Sequence, residues 1–241
     1  MSKQSDLVSV SQGASGDPLF IDTVNDRVGV GTSSPATTLD VVGSAQIGAN
    51  ATKTKFYSDS TYSGIFNGAT LGSNESFYMG AGALFFYGGG VERLRIDAAG
   101  RVTMPYQPAF AATYSGLTNI PSGTSLAPTP TNAIFNTGNH YSASTGRFTA
   151  PVAGLYEFNC AFAGFGSFPS QPYWSAELWI NGVRTYIGGW NEADGGYAAI
   201  NNTFIIQLNA GDYAQLGKEF YNAGQVEGGS SFPVFSGRLI G

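Results

Sequence analysis

Apolar and polar residues alternate along several segments in the second half of the chain, and this period of two constrains the fold more than any other feature. Tyr156, Phe158, Cys160 and Phe162 occupy every second position, with polar or small residues between them. Side chains of a strand point alternately to its two faces, so the pattern predicts a strand with one buried face. The same alternation recurs at Trp174, Ala176, Leu178 and Ile180.

Turn residues separate these runs at short intervals. Asn181-Gly182 stands directly between two apolar runs, and this dipeptide is the strongest short signal for a β-hairpin. Residues 209–212, Asn-Ala-Gly-Asp, separate a strand at 203–208 from one at 213–216, and residues 231–240 form the closing strand. Strands at this spacing predict a β-sandwich or jelly roll.

The composition agrees with an all-β protein. Charged residues make up 11% of the 241 residues, aromatic residues 14%, and glycine occurs 34 times. A soluble domain usually has about 25% charged residues, and helical bundles build their surfaces from Glu and Lys. The charge-poor, glycine-rich composition therefore favours many strands joined by tight turns.

The charge balance and a few residue counts exclude several functions. The net charge is −5, so no basic surface is expected for nucleic acid. A single Cys excludes an intrachain disulfide framework, and a single His excludes a multi-His metal site. The start, Met-Ser-Lys-Gln-Ser-Asp, has no apolar core, so we expect no secretory signal, and no apolar run is long enough for membrane insertion.

The first half of the chain has weaker signals. Residues 1–20 are polar and are expected to be flexible or ordered against a partner. A hairpin motif then occurs twice: an apolar–Asp step, a turn and an Arg-Val step, first at 21–28 and again at 96–102. Between the two copies lie short aromatic strands separated by glycines. A shift in composition places a domain boundary near Tyr106, because residues 102–146 contain no Asp, Glu, Lys or Arg.

Strands this short are not expected to enclose a core within one chain, because three or more strands with a packed face are needed for stability. For residues 21–104 we therefore expect an intertwined trimeric shaft, in which identical chains each contribute an apolar face to a shared axis. The alternative is a small, irregular β-domain.

Residues 136–158 resemble the signature of the complement C1q globular-head family. The matching positions are Asn136, Tyr141, Phe148, Gly154, Tyr156 and Phe158. Two positions depart from the pattern: Pro130 stands where Phe is expected, and Cys160 where an aromatic residue is expected. The family shares a trimeric jelly roll with tumour necrosis factor, so the resemblance implies a homotrimeric jelly-roll head at residues 105–241.

The first half resembles bacteriophage fibre proteins. Residues 26–41 are similar to a shaft motif of such fibres, and residues 92–104 to the segment that precedes a distal head. Together with the C1q-like head, these motifs imply a structural, non-enzymatic virion protein made in the host cytoplasm. Residues 1–20 would anchor it to other virion proteins of the tail or capsid. The alternatives are a polysaccharide-degrading tail spike and a capsid decoration protein without a receptor role.

Aromatic residues in glycine-, proline- and serine-rich loops are the candidate contacts for a host glycan or protein. Such residues offer a broad binding face at a low cost in entropy. The candidate residues are Phe165, Phe168, Gln171, Tyr173, Trp190, Asn191, Glu192, Asp194 and Tyr197. The alternative is that these aromatics cover the edge of the sandwich or a subunit interface.

Three chemical alternatives carry less support from the sequence. His140 and Cys160 resemble a base and a nucleophile, but Cys160 lies on the apolar face of its strand. Glu192 and Asp194 are close enough in sequence to serve as paired carboxylates for glycoside hydrolysis. The same loop has oxygen ligands suited to calcium, as in some C1q-like heads, although no ligand-rich spacing requires a metal. We therefore expect no cofactor.

Overall fold

The computed structural model describes residues 19–42, 44–47, 54–58, 61–67, 76–166, 173–192, 197–229 and 232–241. Every regular element in these ranges is a β-strand, which confirms the predicted all-β class. The chain divides into two compact units, Met1–Pro105 and Tyr106–Gly241. Except for its last two residues, the predicted anchoring segment 1–20 lies outside the described residues.

The first unit contains ten short strands in its described ranges. They are β1 (Leu19–Asp22), β2 (Arg27–Val30), β3 (Leu39–Val41), β4 (Ser44–Ile47), β5 (Thr54–Ser58), β6 (Tyr62–Asn67), β7 (Ser76–Gly80), β8 (Ala83–Gly88), β9 (Val91–Ile96) and β10 (Val102–Thr103).

The second unit contains thirteen strands in its described ranges. They are β11 (Ala109–Thr113), β12 (Thr118–Ile120), β13 (Gly123–Leu126), β14 (Asn132–Thr137), β15 (Tyr141–Ser142), β16 (Arg147–Thr149), β17 (Gly154–Gly166), β18 (Tyr173–Ile180), β19 (Val183–Glu192), β20 (Tyr197–Leu208), β21 (Tyr213–Phe220), β22 (Gly224–Val226) and β23 (Phe235–Leu239).

Two sheets make up the described part of the first unit. The smaller has the order β1-β2-β3, with β3 parallel to β2. The larger has seven strands in the order β10-β9-β8-β7-β6-β5-β4, so each strand pairs with its neighbour along the sequence. All of this pairing takes place within one chain. The winding of several chains around a shared axis stays a prediction.

The repeated hairpin motif has a common physical basis. In each copy one aspartate, Asp22 or Asp97, accepts hydrogen bonds from two backbone N–H groups of its own turn, at distances between 2.9 and 3.1 Å. Each turn also needs a residue with positive φ, which is Asp26 at 54° in the first copy and Gly100 at 79° in the second. Asp and Gly are among the residues that adopt this conformation most readily.

The second unit is a sandwich of two antiparallel sheets with jelly-roll connections. In the first head sheet, β17 pairs with β20 along one edge and with β23 and β22 along the other, and β11 and β14 continue beyond β23. The second head sheet has the order β15-β16-β21-β18-β19, with β13 also paired to β21. Neighbouring strands are mostly distant in sequence, as expected when a chain crosses repeatedly between two sheets.

Aromatic side chains fill the space between the two head sheets. Phe110 stacks on Tyr141 and Phe148, with ring centroids 4.7 and 5.0 Å apart, and Phe235 meets it edge-on at 5.0 Å. Phe158 is completely buried beside them. Gly237 has no side chain at a point where a Cβ atom would lie 2.5 Å from the Phe158 ring. The alternating residues of β17 therefore face this core.

The hydroxyl groups of the buried tyrosines all have partners. Tyr141 donates to the carbonyl of Pro130 at 2.6 Å, and Tyr156 donates to the carbonyl of Val152 at 2.8 Å. Asn136 binds the backbone of Tyr141 twice, once through each end of its amide. Pro130, which departs from the family pattern, thus contributes a backbone acceptor that any residue type could supply.

One aspartate joins two of the predicted turns. Asp212 accepts hydrogen bonds from the Asn181 side chain at 2.9 Å and from the backbone N–H of Asn209 at 2.8 Å. Asn181 in turn accepts from the backbone N–H of Tyr213 at 3.0 Å. The bond from Asn181 is the main cause that holds the pKa of Asp212 below its ordinary value of 3.8, with the Asn209 N–H next.

This pKa shift predicts a pH dependence. A carboxyl group whose pKa is lowered by folding stabilises the fold above its ordinary pKa and loses that effect as the pH falls through the folded value. Asn at position 212 keeps one acceptor oxygen, so Asp212→Asn should lower the melting temperature at about pH 7. As the pH falls below 3.8 and through the lowered pKa of the folded protein, Asp212 also becomes protonated, and the two proteins should converge. Calorimetry across this range checks it, with Asp26→Asn at an exposed position of the first unit as a control with the same change of charge. A pH-independent difference would contradict the prediction.

Core truncation tests the strand register. Phe158→Ala removes a fully buried ring and should lower the free energy of unfolding by about 3–5 kcal/mol. Leu117 is an exposed apolar residue of the same unit, and Leu117→Ala should change it by less than about 0.5 kcal/mol. Chemical denaturation gives both values. Equal stability of the two variants would show that Phe158 does not face the core.

Candidate functional site

The two loops predicted to bind a partner lie at the same end of the sandwich. One joins the end of β17 to the start of β18, and the other joins the end of β19 to the start of β20. Phe165 is paired with Tyr197, and Tyr173 is paired with Glu192. All four strand ends therefore lie together, and both loops connect one head sheet to the other there.

The structure describes only part of the predicted site. Phe168, Gln171 and Asp194 lie outside the described residues, and for Phe165, Trp190, Asn191 and Glu192 the description is limited to the backbone. The binding roles of all these residues stay predictions. Tyr173 and Tyr197 are the two predicted residues whose side chains the structure places.

Tyr173 belongs to a polar and aromatic group at this end of the second head sheet. Its hydroxyl donates to Glu219 Oε1 at 3.3 Å, and its ring lies 5.6 Å from the ring of the exposed Tyr221. Desolvation is the largest cause that raises the pKa of the Tyr173 hydroxyl, and the Glu219 carboxylate adds to it. The hydroxyl therefore stays protonated at neutral pH and keeps its hydrogen bond to the carboxylate.

Tyr197 occupies the corresponding position on the first head sheet. Its ring is about half exposed, and its hydroxyl donates to Glu227 Oε2 at 3.2 Å. Desolvation raises its pKa, and the Glu227 carboxylate contributes next. Each sheet thus presents a tyrosine that is held by a carboxylate at the end where the loops lie.

A charged cluster supports the Tyr173 side of this surface. Arg184 donates to both Glu177 and Glu219, and Trp179 donates from its indole N–H to Glu177 at 3.0 Å. Glu177 is completely buried, whereas the Arg184 side chain is 30% exposed. The hydrogen bond to Glu177 is the main cause that raises the pKa of Arg184. Arg184 thereby neutralises a carboxylate that would be costly to bury alone.

Sequence analysis missed this cluster and the contact between Tyr173 and Tyr221. One signal was present: Glu177 lies at the middle of an otherwise apolar and aromatic strand, and a buried acid requires a partner. The identity of that partner depends on pairing between β18, β19 and β21, which a single sequence does not reveal.

The structure describes only some of the residues on which the nucleophile and metal-site alternatives depend. Cys160 is completely buried, and desolvation raises the pKa of its thiol, which opposes formation of a nucleophilic thiolate. Within the described ranges no three His, Cys, Asp or Glu side chains are grouped as a metal site would require. The predicted calcium loop lies partly outside those ranges, so calcium binding stays a prediction. No helix in the described part of the chain is long and apolar enough to cross a membrane.

Comparison with known proteins decides the family. The C1q domain model matches residues 109–240. The chain belongs to the C1q domain family. The predicted C1q-like jelly roll is thus confirmed, and the sandwich described above is the C1q domain of this chain.

Solved structures similar to the C1q domain share little sequence with it. The globular domain of zebrafish complement 1qA is 16% identical, covering 56% of this chain and 98% of that chain, with a TM-score of 0.38. Eiger TNF from S. frugiperda is 10% identical, covering 56% and 91%, with a TM-score of 0.40. Murine APRIL is 11% identical, covering 56% and 99%, also with a TM-score of 0.40.

The charged cluster of the C1q domain gives a prediction with a matched control. Arg184→Met leaves the buried Glu177 without its cation and should lower the free energy of unfolding by about 3 kcal/mol. Arg147 is exposed and lies 4.1 Å from the centre of the Tyr213 ring, so Arg147→Met should cost about 1 kcal/mol or less. Chemical denaturation compares the two variants. Similar losses would show that the buried charge of Glu177 does not depend on Arg184.

Proposed function

We propose that this protein is a homotrimeric bacteriophage virion fibre whose C1q domain binds the host surface. One observation carries the proposal: the outward side of the first head sheet exposes large apolar side chains among mostly uncharged polar ones in a single chain. Its exposed residues include Phe135, Leu155, Ile205 and Ile240. Soluble proteins rarely leave a large contiguous apolar patch exposed unless it is an interface.

The same side of the sheet has the features of a contact between copies. Small residues, Ala161, Ala163 and Ala199, line a depression of about 320 Å³ that is large enough for apolar side chains of a neighbour. Glu157 and Arg238 lie on this side and pair with each other, which balances their charges, and Glu227 at the depression accepts a hydrogen bond from Tyr197. Three C1q domains related by a three-fold axis would cover this surface.

Support for the virion context comes from sequence resemblance. Residues 26–41 and 92–104 resemble the shaft and neck motifs of phage fibres. In the first unit, both copies of the Asp-capped hairpin form, at Asp22 and Asp97. On this proposal residues 1–20 attach to other virion proteins, and the protein is located in the virion after synthesis in the host cytoplasm.

Host contact is assigned to the end of the C1q domain that carries the two loops. Loops held by a rigid scaffold are favoured for recognition. Tyr173, Tyr197 and Tyr221 add aromatic surface beside carboxylates there, a mixture suited to a glycan or a polar protein surface. In a trimer, three such ends face the host together, and the effective concentration of the second and third contacts rises.

The test uses the full chain in two steps. Sedimentation velocity at micromolar concentration should show a trimer, and a monomer would contradict the proposal. Labelled trimer is then applied to a panel of bacterial strains to find one that binds. Electron microscopy of a virion labelled with antibody against the chain distinguishes tail from capsid attachment, and absence from the virion would contradict the fibre role.

Loop substitution tests the binding end. Phe168→Ala combined with Trp190→Ala should reduce binding to that strain by about tenfold or more, because aromatic anchors commonly dominate an interface. The matched control replaces Leu117 and Val152, two exposed apolar residues of the C1q domain, by Ala. Both proteins should remain trimeric. Unchanged binding of the loop variant would show that these aromatics pack within the protein and that the receptor surface lies elsewhere.

A further inference from the structure

The large sheet of the first unit carries a continuous row of apolar residues across five strands. The strand register aligns Phe56 with Ile65, Ile65 with Phe77, Phe77 with Phe86, and Phe86 with Leu94. Directly paired residues point to the same face of a sheet. These five side chains therefore form one band across the sheet. Met79, Leu84 and Ile96 form an adjacent row on the same side. We call the band and this row together the apolar face.

The apolar face is uncovered in the single chain. Phe56, Ile65, Phe77 and Phe86 are 45%, 42%, 36% and 38% exposed, and Met79 is more exposed still. The rings of Phe77 and Phe86 contact each other at 4.9 Å, but this contact lies along the face and covers neither ring from above. Large apolar side chains aligned in this way are strongly favoured to be buried.

The opposite face is closed by contacts within the chain. Tyr78 stacks on Phe85 at 4.8 Å and on Tyr87 at 5.6 Å, and the Arg95 guanidinium lies 5.1 Å from the Phe85 ring. Gly64 faces Tyr78, and a Cβ atom on Gly64 would overlap the Tyr78 side chain. Tyr78, Phe85 and Tyr87 on this face are half-buried, whereas Phe77 and Phe86 on the apolar face are exposed.

The two faces of the larger sheet also differ in charge. Arg95 lies on the closed face, where it pairs with Glu92 at 2.7 Å. The three residues of the adjacent row and the five of the band are all uncharged. Asp97, which lies beside Ile96, pairs with Arg101 at 2.7 Å, so its charge is balanced where another copy of the chain would approach.

The dimensions of the sheet suit a partner of the same kind. The five strands β5 to β9, spaced about 4.8 Å apart and each about five residues long at about 3.4 Å per residue, give a face of roughly 400 Å². Three such faces that meet around one axis bury roughly 1,200 Å² in total, which lies at the lower end of the range for specific protein interfaces. In a trimer the three identical faces surround the three-fold axis, and the apolar side chains of each face meet those of both neighbours there.

We propose that the apolar face packs against the apolar faces of the other two copies of this chain around the three-fold axis, so that sheets formed within each chain meet across a shared core. The inference rests on the proposed fibre and specifies how its shaft is held together. On this proposal the contact between chains is made by side chains of the apolar face. The backbone pairing of the described strands stays within each chain.

Cysteine cross-linking of the full chain tests this contact. Phe77 and Tyr78 are adjacent on the central strand and point to opposite faces, so Phe77→Cys and Tyr78→Cys are a matched pair. The native Cys160 is completely buried and its pKa is raised, so it does not react with a short bismaleimide. We expect Phe77→Cys to form cross-linked chains at least about tenfold faster than Tyr78→Cys. Equal rates, or faster reaction of Tyr78→Cys, would overturn the proposal.

Sedimentation of the same proteins separates this inference from the proposed function. A trimer whose Phe77→Cys variant does not cross-link would leave the fibre intact and exclude contact through the apolar face. A monomer that does not cross-link would exclude both. A dimer that cross-links through Phe77→Cys would show a two-fold contact between faces, and it would contradict both the trimer and the three-fold arrangement. Circular dichroism confirms that each variant keeps its strands, and a variant that has lost them is replaced by Met79→Cys on the same face.

Discussion

The stacking of aromatic rings around Phe110 is the contact on which the rest of the C1q domain depends. Phe110 of β11 stacks between Tyr141 of β15 and Phe148 of β16, and Phe235 of β23 closes the group. These strands belong to both head sheets, so one group of rings sets how the sheets are packed. Aromatic pairs add about 0.5–1.5 kcal/mol each beyond the area that they bury.

A buried lysine complements this core at the other end of the domain. Lys218 lies on the inward side of β21, and its ammonium group donates to the carbonyls of Pro121, Ser122 and Gly123 at 2.5, 3.2 and 2.7 Å. Burial lowers the pKa of Lys218, and the Glu177 carboxylate opposes that change. The charged group fixes the connection between β12 and β13, which has few apolar residues to hold it.

Sequence patterns predicted the strands and turns whose signal lies in a few consecutive residues. The alternation around Phe158 and the Asn181-Gly182 turn were sufficient for a strand and a hairpin, and both are present. The extension of β17 to Gly166 was not predicted, because Gly164 and Gly166 are poor strand formers. They are held there by pairing with β20 and β22, which is a tertiary effect. The inward position of Lys218 and the group around Arg184 also depend on strand pairing and carry no local signal.

The two units differ in how readily a strand can be added or removed, because their strand orders differ. In the C1q domain β17 pairs with β20 and β23, so removing one strand interrupts contacts between distant parts of the chain. In the larger sheet of the first unit every strand pairs with the next one along the sequence. Contacts of this kind form with little loss of loop entropy. A hairpin inserted there would lengthen the sheet by two strands and leave the existing pairings unchanged, so the length of this unit can vary independently of the domain that follows it.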